Sequence, residues 1–99
     1  MASKKIIWSK RASLEFTDVL TFYNERNTST EYSMKLVLQT EDHLNALSKN
    51  EDLGRLTENK KTRVLVMDVF LIFYEVMETR IEILSFWDNR QNPENRVVK

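Results

Sequence analysis

The sequence predicts an α+β domain of two layers, a helical hairpin packed on a mainly antiparallel β-sheet, in the order β-α-α-β-β-β. Three observations predict it. Apolar residues recur at helical spacing between residues 9 and 49, whereas residues 63–86 contain strand-length runs rich in Val, Ile, Leu, Phe and Tyr. A short β-branched and aromatic stretch, Lys5-Ile6-Ile7-Trp8, precedes the first helical pattern. At 99 residues the chain is the size of one domain, and 1–99 reads as a single unit with a polar tail over about 89–99.

The elements follow in order. Ser9 is a good N-cap after the opening strand, and Ala12, Phe16, Val19, Leu20 and Tyr23 then form one helical face to about Arg26. Thr28-Ser29-Thr30-Glu31 has the capping-box pattern and places a second helix start at Thr28. Tyr32, Leu36, Thr40, His43, Leu44 and Leu47 make its apolar stripe, and the short connection makes the pair an antiparallel hairpin. Asn50–Lys61 is polar, holds the single glycine, Gly54, and has neither periodicity, so it reads as a connection. Arg63–Met67, Val69–Val76 and Arg80–Phe86 then read as a meander, reversing at Asp68 and at Met77–Thr79. Helices on one side leave the other face of the sheet for solvent, a nucleic acid or a protein.

Composition excludes several functions. With no cysteine there is no disulfide framework, thiolate nucleophile or cysteine-based zinc site, and one histidine, His43, builds no histidine cluster. No cofactor or metal is expected. No apolar run has the length of a membrane span, so the expected location is the cytoplasm, without a membrane partner. Fifteen Lys and Arg balance fifteen Asp and Glu, so no net field draws the chain to nucleic acid. The charge is segregated along the sequence, however: +4 over residues 1–11, −5 over 12–59 and +1 over 60–99.

An ordered set of residues resembles the RelE/ParE family of bacterial type II toxin–antitoxin toxins over nearly the whole chain. It comprises Ile7-Trp8-Ser9-Lys10-Arg11-Ala12, Leu53-Gly54-Arg55, Arg63-Val64-Leu65-Val66 and Ile72-Phe73-Tyr74-Glu75-Val76. It ends in Ile83-Leu84-Ser85-Phe86-Trp87-Asp88-Asn89-Arg90-Gln91-Asn92-Pro93. The resemblance implies a growth-inhibiting toxin of the kind linked to plasmid stabilisation, neutralised by a cognate antitoxin. It implies one of two targets: DNA gyrase for ParE-like members, or mRNA in the ribosome for RelE-like members.

The residues favour the ParE-like, non-enzymatic alternative. RNA cleavage needs a base for the 2′-OH, cations for the developing phosphorane charge and an acid for the leaving oxygen. Lys61, Arg63 and Arg90 are the catalytic candidates for a nuclease, with the two arginines clamping phosphate and Lys61 assisting proton transfer. An arginine stays charged and is no base, and a lysine becomes one only with a strongly lowered pKa. RelE-type enzymes carry a tyrosine or histidine near the C-terminus, whereas Asp88–Lys99 has neither. For a toxin that binds its target, Arg55, Arg63, Arg80 and Arg90 are the candidate contacts. The expectation is that Arg63 and Arg90 meet on the uncovered side of the sheet in one cationic spot. His43 and Tyr74 read as half-buried and core residues rather than as chemistry, and Trp8 and Trp87 as core or interface anchors.

Overall fold

The computed structural model describes residues 3–90; the polar tail beyond Arg90 lies outside the described residues. The elements are β1 (Lys5–Trp8), α1 (Lys10–Asn27), α2 (Glu31–Lys49), β2 (Arg55–Leu56), β3 (Thr62–Met67), β4 (Phe70–Val76) and β5 (Arg80–Asp88). The two-layer α+β architecture is as expected, with one strand more than the pattern shows. β2 lies inside the stretch read as a connection. Two residues are too short for an alternation to register, and Arg55 and Leu56 become a strand by pairing antiparallel with Val64 and Arg63.

α1 starts where the sequence places it, with the Ala12 amide donating to Ser9 Oγ at 3.0 Å. Its end corrects the capping-box reading. Thr28 is not the N-cap of α2 but the C-cap of α1, in the left-handed region at φ 47° and ψ 35°. The chain must reverse there at once, and a left-handed residue is the usual way to end a helix. Thr30 is the N-cap of α2 without a side-chain bond to a helix amide, and Ser29 Oγ accepts the Glu31 amide instead.

The sheet order is β1-β5-β4-β3-β2. β3, β4 and β5 form the antiparallel meander, while β1 runs parallel to β5 on its outer side. This connection across the helical hairpin is the crossover that a parallel pair requires. β1 stops opposite Ile83, so β5 continues beyond its neighbour. Glu15 of α1 serves that open edge, its carboxylate accepting from Ser85 Oγ at 2.8 Å and the Phe86 amide at 3.2 Å.

One irregularity decides which residues face where. Tyr74 pairs with Ile83 and Phe73 with Ser85, so Leu84 is an extra residue in β5. Before this bulge Ile81 and Ile83 point at the helices; after it Phe86 and Asp88 do, and Trp87 turns to the uncovered face. A strict alternation along β5 is therefore displaced by one position after Leu84.

The main core lies between helices and sheet. Leu36, Leu44 and Leu47 of α2 and Val19 and Tyr23 of α1 join Leu65, Met67, Phe70, Ile72, Tyr74, Ile81, Ile83 and Phe86. Each such side chain contributes about 1.5–3 kcal/mol on burial. Trp8, Phe16, Phe86 and Phe70 continue as a chain of aromatic contacts, with neighbouring centroids 4.7–6.5 Å apart. Val64, Phe73 and Trp87, with Leu71, form a second cluster on the uncovered face. No helix among the described residues is long and apolar enough to cross a membrane.

Candidate functional site

The strand register settles the faces of the four arginines. Residues paired across antiparallel strands share a face, so Arg63, opposite Tyr74, points to the helix side. Arg55, opposite Val64, points to the uncovered side. Arg80 also takes the uncovered side, since Ile81 beside it faces the core and its Nε donates to Glu82 at 2.8 Å. Arg90 lies on the helix side, its guanidinium 5.2 Å from the Tyr23 ring centre and 5.8 Å from that of Phe70.

The expectation that Arg63 and Arg90 form one cationic spot on the uncovered side is therefore corrected. Neither is on that side. They also lie at opposite ends of the sheet, Arg63 level with Tyr74 and Ile83, and Arg90 beyond the Phe70–Asp88 pair. Each is engaged locally. Arg63 donates from Nη1 to the Gly54 carbonyl at 2.8 Å, and its Nη2 lies 3.2 Å from Asp52. Arg90 holds Asp88, which also accepts the Tyr23 hydroxyl at 2.9 Å. These carboxylates offset the charge of Arg63 and of Arg90 themselves.

Gly54 explains why the loop before β2 comes so close to β4. Its amide donates to the Tyr74 hydroxyl at 2.8 Å, and that hydroxyl donates to the Glu51 carbonyl at 2.9 Å. A Cβ on Gly54 would stand 2.7 Å from the Tyr74 ring and from the Val64 carbonyl, inside contact distance. Burial raises the Tyr74 pKa above its ordinary value, although the Gly54 amide and Arg63 act in the opposite sense. The phenol therefore holds its proton more tightly than a free tyrosine, and its two hydrogen bonds pin the loop before β2 to β4. The sequence marks Gly54 as the single glycine and Tyr74 as a core residue, but nothing in it joins the two or points to Glu51 and Asp52.

The Thr57–Lys61 turn presents the remaining candidate. Asn59 Oδ1 accepts the Lys61 and Thr62 amides at 2.9 and 2.8 Å, and Lys60 takes a left-handed φ of 60°. The turn places Lys60 and Lys61 beside Arg63 in a cleft of about 560 Å³, with Leu56, Glu75, Val76 and Met77 completing the wall. So the structure brings Lys61 and Arg63 together and leaves Arg90 apart. A separate pocket of about 250 Å³ on the uncovered face sets Arg55 beside Leu56, Val64, Leu71 and Phe73.

The other singled-out residues take quieter roles. His43 is partly buried on α2, its Nδ1 2.9 Å from the Gln39 carbonyl. Trp8 packs against Phe16 and Phe86. Among the described residues no three His, Cys, Asp or Glu side chains gather in a metal-binding group.

The family model of the ParE toxin of the type II toxin–antitoxin system parDE matches residues 6–93. The chain belongs to this family. The match takes in β1 from Ile6 onward, both helices, β2 to β5, and the end of β5 where Asp88 and Arg90 meet. The chain is also similar in fold to a solved chain of the chromosomal ParDE TA system from P. aeruginosa. The TM-score is 0.70 at 20% identity, over 87% of this chain and 96% of that one. No curated protein matches. In this ParE-family chain the helical hairpin, the meander and the strand that joins it in parallel form the scaffold, and the arginines and the Lys60–Lys61 turn are displayed on it.

Proposed function

We propose that the chain inhibits growth by binding a macromolecular target, DNA gyrase, and is neutralised by a cognate antitoxin in the cytoplasm. The match to the ParE toxin family model carries this reading. The geometry supports binding over cleavage: Lys61, Arg63 and Arg90 do not converge on one phosphate, and Arg63 and Arg90 already hold carboxylates. Of the four target-contact candidates, Arg55 and Arg80 stand on the uncovered face of the sheet, where a large partner has access. Arg63 and Arg90 shape the surface from the helix side.

Expression of the chain alone in bacteria tests this. Growth arrest with gyrase-linked DNA breaks, relieved by co-expressing the antitoxin, is the expected result, and Arg55→Ala with Arg80→Ala should weaken it. Arrest without DNA breaks would overturn the target.

A RelE-like mRNA interferase is the second reading, and the proximity of Lys61 to Arg63 in one cleft favours it. It would show itself as mRNA breaks at fixed codon positions in the same cells.

A further inference from the structure

Resting on the toxin–antitoxin reading, we propose that the cleft between the Thr57–Lys61 turn and the end of β4 seats an acidic, aliphatic segment of the antitoxin. Carboxylates of that segment would meet Lys60 and Lys61, and an apolar side chain would lie against Leu56, Val76 and Met77.

Charge complementarity points to an acidic occupant. Lys4, Arg63 and Arg80 are each held by a carboxylate of this chain, Glu51, Asp52 and Glu82. Lys60 and Lys61, both exposed, have no ion pair among the described residues. Their backbone is nonetheless fixed by the Asn59 and Thr57 bonds, so the two ammonium groups start from an ordered turn rather than a wandering loop. An ordered backbone limits the entropy cost of engaging them to that of the side chains themselves.

The wall of the cleft points to a peptide rather than a nucleic acid. Leu56 is 47% exposed, and Val76 and Met77 are partly exposed beside it. A phosphate backbone would gain nothing from this apolar surface, whereas an aliphatic side chain of a peptide would be buried against it. The balanced charge of the chain also gives a nucleic acid no general attraction. Exposed ion pairs contribute little each, so the lysines set orientation and encounter rate, and the apolar contact holds the segment.

The test uses the isotope-labelled full chain and a synthetic peptide of alternating glutamate and leucine. A single-stranded oligonucleotide is titrated in parallel. Saturable shifts are expected at the Lys60, Lys61, Val76 and Met77 amides with the peptide. The K60E/K61E variant should bind about tenfold more weakly, and K60R/K61R should retain binding. Shifts confined to other surfaces, no shifts, or tighter binding of the oligonucleotide at these amides would each overturn the proposal. Growth of cells expressing the chain alone scores the toxin reading separately. Arrest without peptide binding sinks the cleft alone. Unaffected growth sinks the toxin reading, and the antitoxin as occupant with it.

Discussion

Arg90 grips Asp88 through a fork, Nε to Oδ1 at 3.1 Å and Nη2 to Oδ2 at 3.0 Å, while the Asp88 side chain is only 5% exposed. The Tyr23 hydroxyl donates to the same Oδ2 at 2.9 Å. The carboxylate is thus neutralised by a residue two positions along the chain and oriented by one from α1. Replacing Arg90 with Ala leaves a buried charge with one neutral donor from a side chain. We expect a loss of about 1–3 kcal/mol in urea denaturation, only partly recovered by Arg90→Lys, which lacks the planar fork. An unchanged midpoint would show that the pair carries no stability. Any loss of toxicity in Arg90→Ala therefore has to be compared with its folded fraction.

Gly54 and Tyr74 make a second such joint. Tyr74→Phe removes the acceptor for a buried amide and is expected to cost about 1–3 kcal/mol. Gly54→Ala is expected to cost more than Tyr74→Phe, because the added methyl meets the Val64 carbonyl as well as the ring. Denaturation midpoints in that order check it; the reverse order would refute the steric account.

Trp87 carries a buried indole Nε1 that has no hydrogen-bond partner among the described residues. Trp87→Phe removes this unpaired donor together with some apolar surface, two effects of opposite sign. The expected net change is below about 1 kcal/mol, whereas Phe73→Ala in the same cluster should cost roughly 3–5 kcal/mol. Thermal unfolding of both variants decides the matter.

Alkaline pH should weaken the fold through two phenols. Burial leads in raising the pKa of both Tyr32 and Tyr74, with Asp68 and Asp88 adding to it at Tyr32. The folded chain therefore keeps these protons after the unfolded chain has begun to lose them near pH 10.0. Their stabilisation is present in full below that value and is lost as pH rises through the higher folded values. Absorbance at the phenolate band should show a late-titrating fraction that shrinks in Tyr32→Phe and Tyr74→Phe.

Thr28 sits in the left-handed region despite its β-branched side chain. A non-glycine residue there costs roughly 1–2 kcal/mol, so Thr28→Gly is expected to raise the melting temperature by relieving it. A fall would mean that the short Thr28 Oγ1 contact with the Asn27 carbonyl outweighs the strain.

The sequence alone determined the helices, the meander and their order, because these rest on local periodicity: Ala12 to Tyr23 along one helical face, and Arg63 to Met67 along a strand. It also carried the family, through residues spread from Ile7 to Pro93. Tertiary structure decided where the charged groups go. Asp88 meets Tyr23 across 65 positions of sequence, and the extra residue Leu84 reverses the faces of everything after it in β5. A side chain's face depends on every residue counted between it and a fixed point, so one bulge was enough to turn Trp87 outward and Asp88 inward. Arg80–Glu82 and Arg90–Asp88 pair two positions apart along the chain, but which carboxylate answers Arg63 depends on the distance between β3 and the loop that carries Asp52, and no pattern within an element records that.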